Sequence, residues 1–339
     1  MTGTIHRTVL RLEALVARRF SLKRTPRVIE PFIGYASEDV LFVQGRVHSK
    51  LRDSETRFGQ SRIANLRQML GMFLTSEVPG AEVHCAGQTV RADEEGYFRV
   101  DIPRDGAQGW LLFDASLPGI EGQFACPVFA PPPGDPPMVI SDIDDTIMKT
   151  GAYSLLKNLW TSLTGNPLTR QVFPDGAVLL DRLNREQECP VFYVSSSPWN
   201  LFRFLEAVFD RNAVVPGPMF LRDLGLDEAK FVTDGHGDHK GRAIDTILGA
   251  NPSRDAILIG DTGQEDAKVY LDASERHGDR IRAVILRTPG ASIERDSLRN
   301  IEALRQRGVL TLCGRSFAGF HETLTAYLSA DDPPPDQGA

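Results

Sequence analysis

The stretch Pro131-Pro-Pro-Gly-Asp-Pro-Pro137 does most to limit what this chain can fold into. Proline fixes φ and lacks an N–H, so such a run continues neither a helix nor a central strand and acts as a stiff connector. The chain changes texture across it. Residues 28–130 carry short β-branched and aromatic runs broken by turn residues: Val40–Val47, Ala81–Cys85, and Gly96–Ile102, where Phe98, Val100 and Ile102 alternate with Arg99 and Asp101. Alternation with a period of two marks half-buried strands, and the region reads as a small β-sandwich. Inside it, Ile63, Leu66, Leu70 and Phe73 share one side of a helix expected within residues 50–75.

Beyond the prolines, apolar runs at Met138–Ile143, Pro190–Val194, Ala256–Gly260, Arg282–Leu286 and Val309–Leu312 alternate with helix-like segments such as Gly176–Glu186, Leu201–Phe209 and Gly241–Leu248. That alternation predicts an α/β fold, a Rossmann-like parallel sheet with crossover helices on its faces. In such sheets ligands bind outside the carboxyl ends of the strands. Ahead of the sandwich, Ile5, Val9, Leu12, Val16 and Phe20 recur at helical spacing, with Arg7, Arg11, Arg18 and Arg19 on other faces. This amphipathic helix either lies on anionic lipid or packs on the body of the protein. The expected organisation is an N-terminal amphipathic helix (1–27), a β-sandwich domain without an assigned role (28–130), a linker (131–137), an α/β domain (138–328) and a disordered tail (329–339).

A chain of 339 residues is long enough for two such cores. No run of about 20 apolar residues is present to span a bilayer, and no secretory signal precedes the first helix, so the expected location is cytoplasmic, with any membrane contact peripheral. The net charge of −7 argues against a nucleic-acid partner. Cys85, Cys126, Cys189 and Cys313 are too scattered for a zinc site and read as reduced thiols rather than a disulfide. Oligomeric state is not legible.

The chemistry concentrates at strand ends. The first apolar strand runs into Ser141-Asp142-Ile143-Asp144-Asp145-Thr146, the second into Val194-Ser195-Ser196-Ser197-Pro198-Trp199-Asn200, and the third into Gly260-Asp261-Thr262-Gly263-Gln264-Glu265-Asp266, while Asp238-His239-Lys240 precedes a helix. Any one of these alone is a capped turn or a solvated charge. Together they return carboxylates, hydroxyls and one lysine to the same edge of one sheet.

In this order, Asp-x-Asp-x-Thr, Ser, Lys and Gly-Asp-x-x-x-x-Asp resemble the four motifs of the haloacid dehalogenase superfamily. The resemblance implies a fold of that type, a magnesium ion, and an aspartyl-phosphate formed on Asp142. Asp142, the backbone carbonyl of Asp144, and Asp261 would hold the metal, with Asp266 orienting a metal water or Lys240; Asp144 would be the acid and then the base; Ser195 and Lys240 would hold the phosphoryl oxygens. Ser196 and Ser197 compete with Ser195 for that role, and Asp145 fills a position that the motif leaves open.

The fuller strings Asp142–Ile147, Tyr193–Asn200, Gly217–Asp223, His239-Lys240 and Ile259–Asp266 are similar to the actin-patch-associated phosphatidate phosphatase family. That resemblance implies hydrolysis of phosphatidate to diacylglycerol, a phospholipid substrate met at a membrane surface, and substrate contacts from Thr146, Ser196, Ser197, Asn200, Arg222 and His239; structural roles for Arg222 and His239 remain open. Between Thr146 and Pro190 there is room for no large cap, only a short helix near Tyr153–Leu163 carrying Trp160, which either dips into lipid or packs on the β-region. The site should be open, which suits a presented headgroup. Two alternatives keep the motif but change the outcome: another phosphomonoester or phosphoprotein as substrate, or a module that binds phosphatidate without hydrolysing it.

Overall fold

The computed structural model describes residues 27–49, 77–134, 136–149, 171–222, 236–290 and 293–329, with only the backbone of 236–238. The helices expected at 4–20, within 50–75 and near 153–163 lie outside the described residues, as does all but the first residue of the expected tail.

Seven strands come first: β1 (Arg27–Ala36), β2 (Val40–Ser49), β3 (Glu82–Cys85), β4 (Gln88–Arg91), β5 (Tyr97–Pro103), β6 (Gly109–Ser116) and β7 (Phe124–Ala130). They form one sheet in the order β4-β3-β6-β7-β1-β2-β5. Neighbours are antiparallel except β1 and β7, which run parallel where Gly34 faces Val128 and Tyr35 faces Phe129. At that joint the β1–β2 register slips between Phe32 and Tyr35. A Cβ on Gly34 would stand 2.1 Å from the Phe42 carbonyl oxygen and 2.9 Å from Val128 Cγ2, so a glycine is what lets the backbones close. Ile29, Leu41, Val43, Phe98 and Val100 from one half share a core with Val83, Cys85, Ala115, Cys126 and Val128 from the other. Gln88 Nε2 donates to the Asp101 carbonyl across the two edge strands at 2.8 Å. The expected sandwich therefore takes the form of one hydrogen-bonded sheet folded over its own core, not two separate sheets.

The second part alternates strands and helices: β8 (Met138–Asp142), β9 (Met148–Lys149), β10 (Gln171–Val172), α1 (Pro174–Glu186), β11 (Val191–Pro198), a single 3₁₀ turn (Trp199–Leu201), α2 (Phe202–Arg211), β12 (Met219–Arg222), α3 (His236–Ala250), β13 (Ala256–Asp261), α4 (Asp266–His277), β14 (Ile281–Arg287), α5 (Arg295–Gln306), β15 (Leu310–Gly314) and α6 (Phe320–Leu328). The pair β9–β10 is a small antiparallel ribbon. The other six strands form a parallel sheet, ordered β12-β11-β8-β13-β14-β15. Every residue of β8 and β13 is buried, as expected for strands covered on both faces. Val139, Ile257, Ile259 and Ile285 pack on one face with Leu179, Leu183, Leu205 and Leu324 of α1, α2 and α6. Met138, Ile140, Leu258 and Val284 pack on the other with Ile244, Ile247, Tyr270 and Leu304 of α3, α4 and α5.

From β8 the chain passes first to β11 on one side and later to β13 on the other, so the order reverses at β8 and a crevice opens at its carboxyl end. Asp142 is the last residue of β8. The folded sheet leans on this part through Phe32, whose ring stacks on Trp199 at 4.5 Å and meets Phe202 at 4.9 Å. The linker is tied from both sides: Arg104 donates to the Pro131 carbonyl, Arg254 to those of Pro132 and Pro136. All four cysteines are free thiols. Among the described residues no helix is long and apolar enough to cross a membrane.

Candidate active site

Three loops build the site. After β8 the chain reverses tightly, with the N–H groups of Ile147 and Met148 both donating to the Ile143 carbonyl. Asp145 takes the left-handed conformation that this turn needs, φ 55°, which aspartate tolerates better than most side chains. The turn brings Thr146 Oγ1 back to Asp142 Oδ2, to which it donates at 2.9 Å. Asp144 points toward the end of β11, where Ser195 Oγ and Ser197 Oγ both donate to its Oδ2, at 2.8 and 2.9 Å. Its Oδ1 is buried without a hydrogen bond.

After β13, Asp261 Oδ1 accepts the N–H groups of Gly263 at 2.6 Å and Gln264 at 3.0 Å, leaving Oδ2 buried and unbonded. Asp266, the first residue of α4, accepts the Asp261 N–H on Oδ2 and the Lys240 ammonium on Oδ1, at 3.1 and 2.5 Å. Gly260 makes this approach possible, since a Cβ there would lie 2.5 Å from Asp266 Oδ2. Lys240, near the start of α3, also faces Asp142 Oδ1 at 2.8 Å, an ion pair without an aligned hydrogen bond.

Asp142, Asp144, Asp261, Asp266 and Lys240 are all buried. Burial pushes Asp142 well above the usual carboxylate range; Lys240 opposes this, while Asp266, Asp261 and Asp144 add to it. Burial, then Asp266, lifts Asp261 to about 8. Burial also raises Asp144, against the hydrogen bonds from Ser195 and Ser197. For Lys240, burial alone would favour the neutral amine, but Asp142 and Asp266 outweigh it and hold the ammonium charged. Among the described residues Lys240 is the cation ion-paired with these aspartates, and their ionised forms carry more negative charge than it balances. Asp142, Asp261 and Asp266 each bring a carboxylate oxygen within 4.8 Å of the others, a group able to hold a metal ion. Hard oxygen donors with unsatisfied lone pairs are the set a divalent cation takes.

The expected residues thus gather, with distinctions that the sequence left open. Both Ser195 and Ser197 reach Asp144, whereas Ser196 Oγ is buried without a partner. Asn200, expected on the substrate, accepts on its Oδ1 a hydrogen bond from Arg46 of β2 at 2.7 Å. Arg222 ends β12 opposite Pro198. His239 is drawn to the Phe220 backbone, its Nε2 buried and unbonded. Two residues that sequence reasoning missed support the loops. Arg287, at the end of β14, donates from Nε to the Thr146 carbonyl at 2.9 Å, and Arg46 holds Asn200. An arginine closing an apolar run was the one visible sign of the first; nothing local marks the second.

A parallel α/β sheet thus carries an acidic, lysine-braced centre at its switch point. Residues 137–288 match the family described as phosphatidate phosphatase APP1, catalytic domain. The chain is 28% identical over 149 residues to phosphatidate phosphatase APP1 of Saccharomyces cerevisiae, and 25% identical over 150 residues to an uncharacterized protein of Schizosaccharomyces pombe. Each match takes in 44% of this chain and about a quarter of the relative, 25% and 24%.

Proposed function

We propose that the chain is a magnesium-dependent phosphatidate phosphatase, with residues 138–328 acting as a haloacid dehalogenase-type catalytic domain without a large cap. The observation that carries this reading is the division of labour between two aspartates two positions apart: Asp142 faces the Lys240 ammonium, while Asp144 is turned away onto Ser195 and Ser197. This division supports nucleophilic attack by one carboxylate and proton exchange by the other.

In the first step an oxygen of Asp142 attacks phosphorus and the bond to the ester oxygen breaks. Asp144, whose raised pKa favours the protonated carboxyl, gives its proton to the leaving alkoxide, which departs as the diacylglycerol hydroxyl. In the second step Asp144, now a carboxylate, takes a proton from water as that water attacks phosphorus. Inorganic phosphate leaves, the Asp142 carboxylate is restored, and Asp144 is protonated again. Lys240 keeps a fixed positive charge beside the transferring group. Asp142 and Asp261 through their carboxylates, and Asp144 through its backbone carbonyl, would hold magnesium, with Asp266 behind them bracing Lys240. Bound there, the ion supplies charge that keeps these carboxylates ionised and offsets repulsion between Asp142 and the phosphate. The family and the budding-yeast relative supply the lipid, met from the aqueous side of a membrane.

The test is phosphate release from phosphatidate in mixed micelles and from an aryl phosphate, with magnesium and with chelator. Asp142→Asn should bring release to background, and Asp144→Asn should lower it by about 10²- to 10⁴-fold, the usual share of a general acid–base. Release from the aryl ester but not from lipid removes the substrate and keeps the chemistry. Full activity in Asp142→Asn would falsify the mechanism.

A further inference from the structure

The folded β-sheet lies outside the matched stretch 137–288, and the groups placed in the mechanism above all follow it in the chain. One of its side chains nonetheless reaches the site's second loop. Arg46 of β2 is 4% exposed. Its Nε donates to the Glu95 carbonyl at 2.9 Å, one terminal nitrogen pairs with Glu77 at 2.7 Å, and the guanidinium lies 4.8 Å from the centre of the Tyr97 ring. These contacts fix it to its own sheet. The other terminal nitrogen crosses to Asn200 Oδ1 at 2.7 Å.

Asn200 sits in the turn Trp199–Leu201, directly after the end of β11 that carries Ser195 and Ser197. A guanidinium only donates, so the end of the amide that faces it must be the oxygen. The NH₂ end is therefore directed away from Arg46, and no described residue accepts a hydrogen bond from it. The same turn is braced from the sheet a second time, by Phe32 stacked on Trp199.

We propose that Arg46 is a positioning residue for the phosphatase site, a role that rests on the phosphatase reading above. It holds the Ser195–Asn200 turn in register with Asp144 and presents the Asn200 amide N–H groups to an oxygen of the phosphomonoester. The β-sheet is thus a working wall of the site.

Steady-state kinetics on the full chain, with phosphatidate micelles and an aryl phosphate, tests this alongside thermal melting. Arg46→Met should lower kcat/KM on the order of ten- to a hundredfold, carried by kcat, as a displaced catalytic loop does. Arg46→Lys should recover part of it, since one ammonium can reach Asn200 but not reproduce the fork. In an Asn200→Ala background, Arg46→Met should add little. Arg203→Ala, which removes the ion pair to Glu30 at the same junction, should leave the kinetics unchanged. Full activity in Arg46→Met, an equal loss in the Asn200→Ala background, or an equal loss in Arg203→Ala overturns the proposal. Should the wild-type chain hydrolyse neither ester, the phosphatase reading falls, and hydrogen exchange of the 195–202 amides decides the rest. Faster exchange in Arg46→Met but not in Arg203→Ala upholds positioning; unchanged exchange sinks it.

Discussion

Arg287 shows how much of this site rests on one buried side chain outside the proposed catalytic set. It is 2% exposed, and every nitrogen is used: Nε on the Thr146 carbonyl, both terminal nitrogens on the Asp175 carboxylate at 3.1 Å, and one of them also on the Arg315 carbonyl. The rings of Phe173 and Phe317 each lie 4.1 Å from it. Removing one partner of such a pair strands the others, so Arg287→Met should cost about 2–4 kcal/mol in denaturant unfolding, at the lower end of buried pairs because Asp175 is partly exposed. A loss below about 1 kcal/mol would count against this account. The pH dependence follows with a definite sign. Burial alone would raise Asp175, but Arg287, the Phe317 N–H and Ser316 outweigh it and hold it below the usual range. Its contribution is therefore present above its unfolded pKa of about 4 and is lost as pH falls through the lower folded value. Arg287→Met should flatten that acid limb.

At the scale of elements, the end of β13 is where backbone and chemistry constrain each other most. Gly260→Ala would place a Cβ 2.5 Å from Asp266 Oδ2 and 2.6 Å from Tyr270 Oη, both held by buried hydrogen bonds. The carboxylate must move, taking Lys240 with it. Expected are a destabilisation of about 1–3 kcal/mol, as for overpacking generally, and a fall in phosphate release larger than the stability loss explains at a temperature where the variant is folded. Unchanged release would mean that the Asp266–Lys240 contact is dispensable. This part of the molecule was open to sequence reading because each loop is local: a buried apolar strand, then its polar residues within a few positions. Met138–Ile143 and Ala256–Gly260 emerge as β8 and β13 within a residue of their ends. The elements that carried weak signals are short or irregular. Strand β12 has four residues after Pro216-Gly-Pro218, and β9 and β10 have two each. In β1, Pro31 and Gly34 interrupt the alternation at the bend that folds the sheet. The roles of Arg287 and Arg46 depend on partners 141 and 154 positions away in the chain, a separation across which periodicity carries no information.

For the whole molecule, the question is whether the folded sheet and the α/β part are two cooperative units or one. The proline-rich linker suggests two, since stiff connectors commonly mark boundaries. The packing argues for one. Phe32, on β1, belongs to the same core as Leu205 and Phe202 of α2 and Ile257 of β13; Tyr35 and Phe42 belong to the core on the opposite face, with Ile140 and Phe192. The linker carbonyls are held by Arg104 from one part and Arg254 from the other, which removes the freedom a hinge would need. Calorimetry of the full chain should therefore give a single transition for these two parts, with calorimetric and van't Hoff enthalpies that agree. Phe32→Ala deletes a 3%-exposed ring with two close aromatic partners, a loss of about 3–5 kcal/mol, and should split or broaden that transition. Two well-separated transitions in the unaltered chain would show that the parts fold independently. The Arg46–Asn200 contact would then join units able to part, and the Ser195–Asn200 turn would lose its outer support before the parallel sheet melts.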